Sequence, residues 1–435
     1  MSHSTLAKMA AMGLAGACAL ALSSCGSTPQ GSTDSGAGGS AAATGQNVRV
    51  WFMEGSIPDD AVKYLEDTFA ANNPGNTLTV EIQPWDGIVN KLQTSLASDA
   101  ESPDLVETGN TQTALFASVG AFAPLDDHYE SLGGSRLIPS FVEAGTWENH
   151  KYALPLYAGA RGVYYRKDML EKAGIAVPTT LDELAQAAID VGKANPDNVD
   201  GFSGMYLAAV DIHGVESLMF AGGGDYAKME NGKWTSLIDN DASVASLTRI
   251  QKIFKEGTAY ALADQASQKS FEKFFNENKV AFMVGTGNVG EKIDKALWEA
   301  DAVGVMPIPG TSAGTVGQTF AGGSSISMAA KAHNPELAAK ALEIIYSKDF
   351  QESVAKAGWT PGNSTYASAQ TGAFSEIAPT VVANSKLTPN TPQWGSVAGD
   401  GGLRDFFMAI AQGSDVRTTA GDFSKKLTEA LNAEQ

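Results

Sequence analysis

The chain has 435 residues, with 49 acidic against 30 basic side chains and a formal net charge of −19. That balance excludes a nucleic-acid binder and a protein docked electrostatically on anionic lipid, since both need a basic face. Both cysteines, Cys18 and Cys25, lie near the N-terminus, so the body beyond them has no disulfide framework and is held by its core. That body is two or three domains' worth of chain.

Lys8 is the only charged side chain ahead of an apolar run from Met9 to Leu22. A positive start, an apolar stretch and small residues before a cut site predict a secretory signal over residues 1–24. The run is shorter than the roughly 20 residues of a membrane span. Leu22-Ser23-Ser24-Cys25 resembles the bacterial lipobox, whose cysteine becomes the acylated N-terminus. An ordinary signal that happens to contain Cys25 is the alternative. Gly26 to Gly45 is almost entirely Gly, Ser, Ala and Thr. Such a segment is a flexible tether with a reach of roughly 25 Å. The expectation is an acylated Cys25 and tether over 25–46, holding a body on the outer face of the cytoplasmic membrane, in a Gram-positive cell. The lipid is then its only attachment to the membrane.

Beyond Gln46, strand and helix patterns alternate. Val48 to Met53 and Leu78 to Ile82 read as strands, with Val62, Leu65 and Phe69 at helical spacing between them. Val89, Leu92 and Leu96 mark a second helix. Asp104 to Glu107 is a short strand, and a helix follows from Thr111. Tyr152 to Tyr157 and Gly162 to Tyr165 are extended. Asp168 to Ala173 is a helix closed by Gly174, and Thr180 with Glu183 forms a capping box for a helix over Leu181 to Val191. Met205 to Val210, Val280 to Val284 and Val303 to Ile308 read as further strands. Asn334-Pro335 opens a helix through Ile345, and Phe406 to Gln412 and Phe423 to Leu431 are the last helical stretches. Alternating strands and helices predict an α/β fold with a parallel or mixed sheet, whose ligands sit beyond the carboxyl ends of the strands. Length fits two such lobes, and no internal repeat is present.

Two segments then carry a resemblance. Ala153-Leu-Pro-Leu-Tyr-Ala-Gly-Ala-Arg-Gly-Val-Tyr-Tyr-Arg-Lys-Asp-Met-Leu-Glu-Lys-Ala-Gly174, continued by Thr179-Thr180-Leu-Asp-Glu-Leu184, resembles the first crossover of the sugar-binding proteins of bacterial ABC importers, the family that includes maltose-binding protein. Phe271 to Gly287 resembles that family's helix, strand and binding loop. Phe320 to Met328 with Asn334 to Phe350 resembles its return crossover. The similarity runs from about Val48 to Leu431. It implies a two-lobed periplasmic-binding-protein-like fold with the ligand in a cleft between lobes: 47–157 plus 326–372 in one, 158–325 plus 373–435 in the other. It also implies a monomer that captures a di- or oligosaccharide and hands it to ABC permease subunits, with no cofactor, metal or catalytic residue of its own.

Sugars present apolar C–H faces to aromatic rings and hydroxyls to carboxylates, amides and arginine. The candidate ligand-binding residues are therefore those at strand ends and crossovers. Glu54, Ser56, Trp85, Asp86, Asn110 and Gln112 come from the first lobe, and Tyr157 and Arg161 from the crossover. Asp211, His213, Thr286 and Asn288, with Gly285, come from the second lobe, and Gly322, Gly323 and Ser324 from the return. Trp359 follows Gly358 in a loop, and Trp394 falls near the place where maltose-binding protein carries a stacking tryptophan. Each has a structural alternative. Trp85, Trp359 and Trp394 are either stacking platforms or packing. Arg161 touches sugar or braces the crossover, and Asp211 and His213 bind or cap the next helix. Trp51 reads as core, Trp147 and Trp234 as hairpin packing, and Trp298 as the apolar face of a helix. A tryptophan often occupies the family position matched by Asn288; its replacement here removes stacking at that corner.

Enzymatic readings fare worse. Gly285-Thr-Gly-Asn-Val-Gly290 matches G-x-G-x-x-G, but no acidic residue ends the next strand. The five histidines are scattered without paired ligand spacing, and no G-x-S-x-G elbow occurs. A secreted glycoside hydrolase needs two opposed carboxylates, and nothing in the sequence pairs Glu54, Asp86 or Glu107. An adhesion or scaffold protein is the remaining alternative, usually built from repeats.

Overall fold

A computed structural model describes residues 45–399 and 401–433; the signal, Cys25 and the tether lie outside the described residues. In chain order the main elements are β1 (Asn47–Met53), α1 (Asp59–Asn72), β2 (Thr77–Gln83), α2 (Ile88–Ser95), β3 (Leu105–Gly109), α3 (Thr113–Ser118), β4 (Leu154–Ala158) and β5 (Gly162–Arg166). They continue with α4 (Leu181–Ala194), β6 (Ser203–Tyr206), α5 (Ile212–Ala221), α6 (Asp241–Lys252), β7 (Val280–Gly285), β8 (Val303–Pro307), β9 (Gly323–Met328), α7 (Pro335–Ile345) and α8 (Lys348–Lys356). Last come β10 (Thr360–Pro361), α9 (Phe374–Ala383), α10 (Pro392–Gly399), α11 (Gly402–Ala411) and α12 (Val416–Leu431).

Two mixed sheets result. The first has six strands in the order β10-β4-β9-β3-β1-β2, and the second has four in the order β8-β5-β7-β6. In the first, β1 lies parallel to β2 and β3, in register at Val50↔Val80 and Val50↔Leu105, while β9 runs antiparallel to β3 and β4. In the second, β7 is parallel to β6 and antiparallel to β5. Each sheet is covered on both faces. Along β1, Val48, Val50 and Phe52 join one core with Leu65, Phe69 and Leu342, whereas Trp51 and Met53 join another with Leu92 and Phe116. This is the period-two alternation of a strand buried on both sides. On the second sheet Val163 and Phe282 face one core, and Tyr164 and Met283 the other.

Local chemistry sets the helix ends. Thr180 accepts from the Glu183 N–H at 3.2 Å, but the Glu183 carboxylate reaches back to Thr179, taking its N–H at 2.7 Å; the box closes one residue earlier than expected. Asn334 accepts from the Leu337 N–H at 3.0 Å ahead of Pro335. One expected strand is shorter than its apolar run. β6 ends at Tyr206, because Asp211 N–H donates to Ala208 O at 3.0 Å and turns the chain into α5.

The chain passes between the sheets from β4 to β5, from β8 to β9, and from β10 to α9. The return strand joins the first sheet at Gly323. The C-terminal helices pack mainly on the second sheet's core, through Phe406, Phe407, Ile410 and Leu427. α10 also lies against α3 of the first, where Gly395 leaves room for Leu115: a Cβ there would come within 2.9 Å of its Cδ2.

Candidate functional site

The carboxyl ends of β1 and β3 meet β4 and β9 in a sealed polar cluster. Tyr157 Oη lies 2.8 Å from Ser56 Oγ and 3.1 Å from Glu107 Oε1, and Ser324 Oγ donates to Tyr157 Oη at 3.0 Å. Met53 N–H donates to Glu107 Oε2 at 2.8 Å. All four side chains are buried. Burial pushes the Glu107 carboxyl above its ordinary range, opposed by hydrogen bonds from Ser324, Met53, Ser56 and Tyr157. Burial, then the nearby Glu107 charge, raises the Tyr157 phenol well above 10. The cluster fixes the tyrosine ring, and the half-buried Trp359 lies against it with centroids 4.5 Å apart at 35°. Trp359 also covers Gly159 in the first crossing, where a Cβ would fall 2.7 Å from the indole Cζ3.

A second cluster stands at the carboxyl end of β6 and on α5. The His213 ring stacks on Phe320 with centroids 4.4 Å apart at 6°, and its Nδ1 bonds Glu216 Oε1. Glu216 is buried and takes the Tyr226 hydroxyl at 3.0 Å; the Tyr226 ring is 4.9 Å from that of Trp394. Asp211 caps α5 by accepting from the Gly214 N–H at 3.0 Å. Burial raises the Asp211 carboxyl, against the field of Arg161. Arg161 bonds to no described side chain or carbonyl. Burial lowers its pKa, while Asp211 and Glu216 hold it charged. A guanidinium with five donors and no partner is a ready acceptor-binding group.

The remaining expected residues divide by what they touch. Trp85 is 39 % exposed. Its edge and the Gln112 amide flank Gly109, 3.8 Å and 3.7 Å from where a Cβ would stand. Glu54 and Asp86 are exposed, and their side chains bond no described residue. Asn110 is a clamp: Nδ2 donates to Ala321 O at 2.7 Å and N–H to Gly323 O at 3.2 Å, tying β3 to the return crossing. Thr286 and Asn288 bond each other, and the Gly287–Asn288 backbone abuts Gly358. Gly358 has φ +88°, and a Cβ there would lie 2.7 Å from Asn288 Cα, so the two loops meet backbone to backbone. Gly322 sits 3.2 Å from Arg161 Nη1, measured from its would-be Cβ, and Gly323 has φ +142°. Gly285 ends β7 beneath Val289. Trp394 is 1 % exposed.

The two halves enclose a cavity of about 160 Å³ between Gln112 on one side and His213, Glu216 and Phe320 on the other, with Trp394 in its wall. A larger groove of about 760 Å³ between α4 and α6 lies away from the strand ends and is lined by Asp182, Arg249 and Lys252. The expected list lacks Glu107 as an anchor, and it lacks Glu216, Phe320 and Thr388. A carboxylate inside the apolar Leu105-Val106-Glu107 strand was a readable signal. Glu216 sits on a helix buried on nearly every face, which erases the periodicity that marks a lining residue.

Residues 54–352 match the family model described as bacterial extracellular solute-binding protein. The chain is 29 % identical to the diacetylchitobiose binding protein DasA of Streptomyces coelicolor, over 97 % of this chain and 98 % of that protein. It is 27 % identical to the lactose-binding protein of Rhizobium radiobacter, over 71 % and 72 %. Among solved structures, the GacH receptor of Streptomyces glaucescens superposes with a TM-score of 0.77 at 21 % identity, covering 90 % of this chain and all of that one. Maltose-bound MalE3 of T. maritima gives 0.73 at 20 % identity, over 88 % and 99 %. The fold is thus that of the two-lobed periplasmic binding proteins, and the protein binds its solute without transforming it. This chain belongs to the bacterial extracellular solute-binding proteins.

Proposed function

We propose that this protein is the sugar-binding component of an ABC importer, capturing a di- or oligosaccharide between its lobes and presenting it to permease subunits. The observation that carries this reading is the meeting of unpaired hydrogen-bonding groups with aromatic surface where the strand ends converge: Arg161 and Gln112 beside Trp85, Trp359 and the His213–Phe320 stack. Indole faces take pyranose C–H surface, and the amide and guanidinium take hydroxyls. The names of the relatives support a carbohydrate, covering diacetylchitobiose, lactose and arabinooligosaccharide binders. The lobes are residues 47–157 plus 326–372 and 158–325 plus 373–435, moved at the crossings so that β4 through Ala158 and β9 from Gly323 stay whole in the first, with Glu54 and Asp86 as exposed ligand groups that engage on closure.

We also propose that the protein works as a lipid-anchored monomer on the outer face of the membrane, through an acylated Cys25. Cys25→Ala should release it into the medium, whereas retention on the cells would refute the anchor. The binding reading is tested by calorimetric titration against chito-, cello-, xylo-, malto- and galacto-linked series, with amino acids and peptides as controls. Tight one-to-one binding of one series without product is expected. Turnover would reinstate a hydrolase, and binding of peptides alone would refute the sugar.

A further inference from the structure

The cavity of about 160 Å³ contains two polar groups that no described residue satisfies. Gln112 Oε1 and Thr388 Oγ1 are both buried with no hydrogen-bond partner among the described residues, and both residues line this cavity. Thr388 is only 8 % exposed. Buried acceptors and hydroxyls are almost always paired, so two orphans facing one hollow point to a guest that supplies their partners. The rest of the wall is largely apolar, with Val89, Ile212, Phe320, Trp394 and Leu403, and its carboxylate, Glu216, is already bonded to His213 and Tyr226. At about 30 Å³ per water in the liquid, the space holds about five atoms of that size. A pyranose with its hydroxyls is too large, and a substituent fits. Water answers the two orphans but gains nothing from the apolar wall.

We infer that this cavity is a subsite for the acetamido group of an N-acetylated amino sugar. The amide N–H donates to Gln112 Oε1, the carbonyl accepts from the Thr388 hydroxyl, and the methyl packs against Trp394 and Leu403. An acetamido group has four non-hydrogen atoms, one donor, one acceptor and one apolar end, which is the complement of this wall. A C2 hydroxyl, which can both donate and accept, reaches the orphans only as water does and leaves the methyl space empty. The inference rests on the reading that the cleft binds a saccharide and assigns its selectivity to one place.

The test is titration of the purified protein with N,N′-diacetylchitobiose and cellobiose, which share a β-1,4 backbone and differ at C2. The acetylated sugar should bind about 100-fold more tightly or better, as expected where a site is built to pair a group its competitor lacks. Thr388→Val and Gln112→Leu should each shrink that ratio by about tenfold, in protein whose unfolding temperature shows that it is folded. Equal binding of the two sugars overturns this inference and leaves the sugar reading standing. Binding of no saccharide overturns both. A preference for the acetylated sugar that both variants leave unchanged puts the acetamido group elsewhere and overturns this subsite. Where one variant does not fold, the other decides the place, and equal binding by the wild type overturns the inference without either.

Discussion

Trp85 and Trp394 both stand where the two sheets converge, yet their burial gives them different work. Trp85 is 39 % exposed and its ring has free surface; Trp394 is 1 % exposed and packs on Tyr226. Trp85→Ala should therefore weaken saccharide binding by about 10- to 100-fold, as for an aromatic anchor, with little change in unfolding temperature. Trp394→Ala should cost about 3–5 kcal/mol of stability through the cavity it leaves, visible as a lower denaturation midpoint before any ligand is added. Glu107 makes a third residue-level case. Burial raises its folded pKa, so the native state holds a proton that the unfolded chain loses near the ordinary value of 4.5. The stability it contributes is full below that value and is lost as pH rises through the folded pKa. Glu107→Gln keeps an acceptor for the Met53 N–H and donors for the hydroxyls. It should remove this fall, so that wild type loses stability relative to the variant as pH rises above about 4.5 in denaturant titrations. Parallel curves would mean that Glu107 ionises as readily in the fold as outside it.

At the scale of elements, the caps show how sequence becomes structure and where that reading stops. Asn334→Ala removes the acceptor for the Leu337 N–H and should lower stability by about 1 kcal/mol, measured as a shift in denaturation midpoint with unchanged slope. That cap, the strand alternation of β1 and the hairpin positions of Trp147 and Trp234 were legible because each is a local signal. Ser56, Tyr157 and Ser324, expected as ligand groups, do lie at strand ends that the fold gathers, but their hydroxyls bond one another and Glu107 inside it. The end of β6 was not legible. Leu207 to Val210 is buried throughout, and an apolar run does not say where extended chain becomes a turn. Asn110 looked like a ligand group, and its amide instead holds Ala321, a partner 211 residues away that no local pattern announces. Thr388 sits between short strand and helix, with no periodicity to mark it. Contacts brought together by distant chain are what a sequence read locally conceals, and the floor of this site consists of them.

At the scale of the molecule, three chain crossings join the sheets, and the first is packed under an indole. Gly159 leaves no space for a methyl: its Cβ would lie 2.7 Å from Trp359 Cζ3 and 3.3 Å from Thr286 Cγ2. Trp359 approaches with β10 of the first sheet and Thr286 follows β7 of the second, so this one residue feels the relation between the halves. A ligand held by groups from both sides biases the lobes toward closure in proportion to its extra contacts in the closed state. Saccharide at about 100 times its Kd should add about 2.7 kcal/mol to unfolding, and every transition in a calorimetric scan should move upward with it. A scan in which one transition moves and another stays fixed would confine the ligand to a single sheet. Gly159→Ala must displace the indole to fit. It should therefore lose part of that ligand-induced shift while its ligand-free scan changes less, which separates a crossing that positions the platform from one that merely connects two domains.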